Sequence, residues 1–169
     1  FTGDDATTTL LPQDLTDLTA FLDGGGKLFI TGQNIGQDIS GDPFYSDYLH
    51  ASYLANTVDH MLDGVPGNPI GDGLRLATAG GDPSNQTSQD VIEPLGGALP
   101  VFTYSADSIA AVHYYSGTYA VVYFGFGFEA INRTGPFAGK DTVMARILKW
   151  LWWTGTEEMP GPELACPSL

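Results

Sequence analysis

The stretch from Pro12 to Gly36, "PQDLTDLTAFLDGGGKLFITGQNIG", constrains this chain more than any other part of it. Leu15, Leu18, Phe21 and Leu22 recur at helical spacing, so Pro12 to Asp23 reads as a helix with one apolar face. Pro12 suits its first turn, Asp14 suits its positive end, and Gly24-Gly25-Gly26 stops it. Lys27-Leu28-Phe29-Ile30-Thr31 follows at once as a short buried strand that ends at Gly32. A helix joined to a strand by a short glycine turn is the second half of a β-α-β unit and predicts a parallel sheet. The next five residues, Gly32-Gln33-Asn34-Ile35-Gly36, have the G-x-nucleophile-x-G form of the strained elbow on which α/β enzymes mount a Ser or Cys. The residue at its centre, Asn34, is an amide.

The rest of the chain is less regular. Phe44 to Leu54 carries aromatic and apolar residues at mixed spacing, and a short helix is expected around Tyr48 to Leu54. Residues 64–99, rich in Gly, Pro, Asn and Asp, read as a long insertion with short strands such as Leu74 to Ala77 inside it. Ser108 to Tyr115 and Tyr119 to Phe126 read as strands joined by a turn at Ser116-Gly117-Thr118. The second of them, "YAVVYFGF", is apolar throughout, as a strand covered on both faces would be. Thr142 to Trp153 is the final helix, with Val143, Ile147, Leu148, Leu151 and Trp152 facing inward and Trp150, Trp152 and Trp153 supplying much of its contact. On that reading Trp152→Ala costs ~3–5 kcal/mol.

These elements predict a three-layer α/β sandwich with a mostly parallel, flavodoxin-like sheet and an antiparallel pair near the C-terminus. Residues 1–153 form one domain, and 154–169 a Pro-rich tail or linker. Phe1-Thr2-Gly3 reads as the exit of a strand whose body lies upstream, so the domain is expected to lack at least one N-terminal strand. The open sheet edge left behind would pair with another polypeptide. That partner is an upstream segment or another domain of a longer parent chain, or a neighbouring copy in a homo-oligomer or filament, and is favoured over a rearrangement of the insert at 64–99 to fill the edge.

The order helix, "GGKLFITGQNIG", variable middle, "YAVVYFGFGFEAI", "ARILKWLWW" resembles the class I glutamine amidotransferase-like domain. More closely, it is similar to divergent copies of that domain carried by large secreted bacterial proteins. Active members place a Cys at the elbow centre and a His-x-Glu pair after a late strand. The elbow centre corresponds to Asn34, and the pair to Gly127-Phe128-Glu129, so the Glu is kept and the His is a glycine. Asn is no nucleophile, and without the His nothing activates one. The resemblance therefore implies a degenerate pocket of Gly32, Gln33, Asn34, Gly36, Asp38 and Glu129 in a secreted, non-catalytic accessory, binding or assembly domain. The competing reading is a secreted hydrolase-type enzyme that uses carboxylates or a bound cation near Glu129 and Asp38.

Composition narrows the partners. Twenty acidic against 6 basic residues give a net charge of −14, which repels phosphate backbones and argues against nucleic acid. No apolar run approaches the ~20 residues of a membrane-spanning helix. A hydrophobic content of 43% argues against disorder. One cysteine, Cys166, allows neither an intrachain disulfide nor a multi-Cys zinc site. His50, His60 and His113 lack metal-ligand spacing. Asp4-Asp5, Asp38, Asp42 and the 81–90 loop offer the oxygen ligands that Ca2+ takes, without the EF-hand spacing. Asn85-Gln86-Thr87 and Asn132-Arg133-Thr134 match the N-glycosylation pattern. Ser40, Ser46 and Ser52 occupy no elbow, which disfavours a Ser-His-Asp hydrolase.

Overall fold

The helix-glycine-strand unit is present where the sequence places it. The computed structural model describes residues 7–80, 84–105, 108–133 and 135–154. Helix α1 (Pro12–Asp23) is entered through Leu11, whose N–H donates to the Asp14 carboxylate at 2.8 Å. Strand β1 (Lys27–Thr31) follows, then two short helices, α2 (Ile35–Ile39) and α3 (Pro43–Asp47). Seven further strands come next: β2 (Ala51–Thr57), β3 (Met61–Gly64), β4 (Arg75–Ala77), β5 (Gln89–Pro94), β6 (Leu99–Tyr104), β7 (Ile109–Tyr115) and β8 (Ala120–Phe124). A 3-10 turn (Phe128–Ala130) and helix α4 (Lys140–Trp153) complete the described residues.

The sheet corrects the expected flavodoxin-like sandwich. It is a curled, mostly antiparallel sheet of eight strands, in the order β1-β8-β7-β6-β3-β4, with β5 and β2 branching from β7. Among the described residues only β1 and β8 pair in parallel, Lys27 opposite Ala120 through Thr31 opposite Phe124. The reason is connectivity. A parallel pair needs a long crossover, and most of the strands after α3 are linked by turns too short for one. The turn at 116–118, for example, sets Tyr115 opposite Ala120 in an antiparallel hairpin. The helix–strand unit at the start governs its own strand and does not extend its rule to the rest.

Two other expectations change. No helix spans Tyr48 to Leu54: α3 ends at Asp47, His50 takes a left-handed φ of 52°, and the chain leaves as β2. The stretch 64–99 is not a bare insertion. Asn68 organises its first part, accepting the N–H groups of Ile70 and Gly71 and donating to the Pro100 carbonyl. Gly64 is required there, because a Cβ would lie 1.7 Å from the Gly71 carbonyl oxygen. Its later part supplies β5, with Ile92 in the core.

Side chains of β8 alternate between two cores. Val122 and Phe124 pack with Val143, Ile147 and Trp150 of α4, while Val121 and Tyr123 pack with Leu22, Ile35, Phe44 and Tyr45 of the other helices. The two groups of helices therefore cover opposite faces. The inward placement of Leu148 and Trp152 is also corrected, since they are 57% and 78% exposed while Trp150 is 7% exposed. Two residues along a helix are about 200° around it, so Trp150 and Trp152 cannot share a face. Phe1–Gly3, where the exit of an upstream strand was expected, and the 155–169 tail lie outside the described residues. Among those described, β1 pairs with β8 on one side and with no strand on the other.

Candidate functional site

The end of β1 is fastened before the elbow begins. Thr31 Oγ1 donates to the Phe126 carbonyl at 2.6 Å and accepts the Phe128 N–H at 2.9 Å, which ties β1 to the segment after β8. Asn34 then takes a left-handed φ of 66°, and α2 starts at the next residue. The strand, the strained residue and the helix thus form a strand–turn–helix. For a non-glycine residue this conformation is uncommon, and Asn is among those that tolerate it best.

What faces the elbow is a carboxylate from β5. Asp90 Oδ2 accepts the Gly36 N–H at 2.7 Å and the Tyr123 hydroxyl at 3.0 Å. The backbone N–H groups of Gln37 and Asn34 also favour its ionised form. Tyr45 OH lies 3.3 Å from Tyr123 OH, and Tyr104 OH donates to the Asp90 carbonyl at 3.2 Å. Asp90 is fully buried, and burial pushes its carboxyl up to about 6 despite these donors. A Cβ on Gly36 would meet the Tyr45 hydroxyl at 2.5 Å, so glycine lets this cluster close on the helix.

Gln33, also fully buried, turns the elbow into a staple. Its Nε2 donates to the Asn85 carbonyl at 2.9 Å, and its Oε1 accepts the N–H groups of Thr87 and Ser88 at 2.8 and 3.0 Å. Gln33→Ala would remove these three contacts, at about 0.5–1.5 kcal/mol per hydrogen bond, because Thr87 is exposed and Asn85 and Ser88 are half-buried, where water can take over. Its expected result is a lower unfolding midpoint together with faster amide exchange at Thr87 and Ser88. Unchanged protection of those two amides would rule the staple out.

Glu129 continues the same network. Its Oε1 accepts from Asn85 Nδ2 at 3.2 Å and Gln86 Nε2 at 3.3 Å, while Gln86 Oε1 accepts the Gly127 N–H at 2.6 Å. A Cβ on Gly127 would lie 2.3 Å from Glu129 Oε1 and 2.5 Å from Gln86 Nε2. The space for a side chain there is filled. Asp38 serves elsewhere, its Oδ2 accepting both the N–H and the hydroxyl of Thr9 at 2.8 Å. The structure thus links Gln33 to Glu129 through Asn85 and gives Asp38 a separate task.

Of the other candidates, His50, His60 and Asn132 have hydrogen-bond partners, while both ring nitrogens of His113 are buried without one. His50 Nε2 lies 2.7 Å from Tyr119 OH, His60 Nδ1 lies 3.2 Å from Thr78 Oγ1, and the His113 ring packs 4.5 Å from that of Trp150. Burial pushes His113 down to about 4. Asn132 Nδ2 donates to the Ala79 carbonyl. Among the described residues no group of three or more His, Cys, Asp or Glu gathers as a metal site. No helix among them is long and apolar enough to cross a membrane. Sequence reading singles out neither Tyr123 nor Tyr45 for the site, and it marks Asp90 only as the end of a candidate Ca2+ loop and Gln86 only as the middle of an N-glycosylation pattern.

No family model matches the chain, and no curated protein matches it in sequence. Its fold does recur among solved structures. The N-terminal domain of mmIFT52 is similar at 14% identity and a TM-score of 0.59, over 89% of this chain and 75% of that one. A cold-adapted β-galactosidase from Rahnella sp. R3 is similar at 19% identity and a TM-score of 0.56, over 83% of this chain and 21% of the enzyme. A β-galactosidase from the Antarctic haloarchaeon Halorubrum lacusprofundi is similar at 16% identity and a TM-score of 0.55, over 90% of this chain and 22% of the enzyme. The chain therefore spans about a fifth of these two enzymes. At such identities the likeness concerns the fold alone.

Proposed function

We propose that this chain is a non-catalytic binding or assembly domain, built on a degenerate amidotransferase-type elbow and carried by a secreted bacterial protein. The Asp90 carboxylate carries the reading. In an acyl-transfer site on such an elbow, the N–H of the residue after the nucleophile, Ile35 here, helps bind the oxyanion of the transition state, so its surroundings must be clear of negative charge. Here the Gly36 N–H already holds an internal carboxylate at 2.7 Å. An Asn stands at the nucleophile position, and Gln86 and Glu129 occupy the room of the activating His. What remains is a rigid, hydrogen-bonded knot that fixes α2 and the 84–88 segment to the sheet. The two β-galactosidases support a modular role in that the same fold makes up about a fifth of each. The secreted, bacterial setting follows the sequence resemblance.

The protein is expected to release no ammonia from glutamine. Asn34→Ala is expected to keep the fold, at a cost of about 1 kcal/mol for placing Ala in a left-handed conformation. A chain carrying both Asn34→Cys and Gly127→His should stay inactive, because Asp90 still blocks the elbow. Glutamine hydrolysis by the wild type, or its appearance in that double variant, would overturn the reading.

A further inference from the structure

Two surface features on opposite faces complement each other. On α4, Leu148 and Trp152 lie one helical turn apart and point to solvent, 57% and 78% exposed. Their helix is the most basic element of an acidic molecule. Helix α4 carries Lys140, Arg146 and Lys149 against one acid, Asp141, so it holds half of the chain's 6 basic residues. Lys149 sits over the Trp153 ring at 5.8 Å. On the opposite face, α1 and α3 enclose a groove of about 470 Å³ lined by Leu15, Thr16, Thr19, Pro43, Phe44 and Tyr48. Asp42 also lines it, and Asp14, Asp17, Asp23 and Asp47 stand on or beside the two helices, which contain no base.

We propose that Leu148 and Trp152 of one copy seat in the α1–α3 groove of a second copy, joining chains head to tail. Large exposed aromatic side chains beside cations are typical anchors of protein interfaces. The groove is roomy enough for an indole and presents the opposite charge to α4. Because α4 packs on one core and α1 and α3 on the other, a chain cannot fill its own groove. The contact is therefore heterologous, and repeated it gives a ring or an open filament. At physiological ionic strength charge is screened beyond about 8 Å, so the repulsion between two chains of net charge −14 fades at range while contacts across the groove persist. The proposal rests on the assembly reading only in naming the partner, since an active elbow would refute that reading without affecting this contact.

Sedimentation of the full chain at 0.15 M salt, up to on the order of 1 mM, decides it. The wild type is expected to form species larger than a dimer. Trp152→Ser removes the anchor, and Thr16→Arg obstructs and charges the groove. Both are exposed substitutions that should leave the circular dichroism spectrum unchanged. Each variant alone should associate at least ~10-fold more weakly. An equimolar mixture of the two should give dimers and nothing larger, because each mixed pair keeps one intact knob and one intact groove. A monomeric wild type overturns the proposal, whether or not α4 binds a different acidic protein. So does a Trp152→Ser chain that associates like the wild type, or a mixture that forms no dimer.

Discussion

Trp150→Ala is expected to destabilise the protein by ~3–5 kcal/mol, whereas Trp152→Ala, two residues on, changes stability by less than about 0.5 kcal/mol. Trp150 is 7% exposed and packs with Val143, Ile147 and Leu151 of its own helix. Its ring meets His113 of β7 edge-on at 4.5 Å. Truncation there opens a cavity between α4 and the sheet that neighbouring strands hold open. Trp152, at 78% exposure, leaves nothing comparable behind. For a domain of this size each kcal/mol moves the melting temperature by roughly 2–4 °C. Trp150→Ala should therefore melt well below the wild type and Trp152→Ala beside it. Equal losses at the two positions would show that the helix is rotated from the orientation described.

The two tryptophans also show what could be read from sequence and what could not. The extents of α1, β1, β7, β8 and α4 follow from local signals: helical spacing, a glycine stop, alternation about a turn. Which face of α4 turns inward does not, because Leu148 and Trp152 make a second apolar stripe beside Val143, Ile147, Trp150 and Leu151. Only contact with the sheet selects between the stripes. Strand direction was misjudged for a similar reason. One helix–strand unit argues for a parallel sheet, and the short β strands between residues 51 and 104, low in pattern and set among Gly- and Pro-rich turns, carry no signal strong enough to oppose it. At the site, the elbow was legible because Gly32, Asn34 and Gly36 are close neighbours. Its plug was not, since Asp90 reaches Gly36 across 54 residues, beyond the range of any motif. Gly127 marked a missing His in sequence, and only the fold revealed that Gln86 and Glu129 fill the gap.

Asp90 and His113 should oppose each other in the pH dependence of stability. Asp90 titrates near 6 in the folded protein against an ordinary 3.8, because burial disfavours its charge. Between those values the folded state holds a proton that the unfolded chain has released, so Asp90 raises stability as pH falls through this window. His113 is displaced the other way, to about 4 from an ordinary 6.5, again by burial. In nearly the same window the unfolded chain takes up a proton that the folded protein refuses, so His113 lowers stability as pH falls. Each group contributes up to about 1.4 kcal/mol per pH unit, and over roughly two units the two contributions largely cancel. Single substitutions should expose them. In Asp90→Asn the histidine acts alone, and stability should be about 2 kcal/mol lower at pH 4.5 than at pH 6.5. In His113→Phe the carboxyl acts alone, and stability should rise by a similar amount over the same interval. Exposed acids add the same background to both variants, so the deciding quantity is the difference between their slopes, read from urea midpoints at constant m. Two curves that run parallel from pH 6.5 to 4.5 would show that neither group is held out of water as described, and with that the carboxylate plug in the elbow would lose its physical basis.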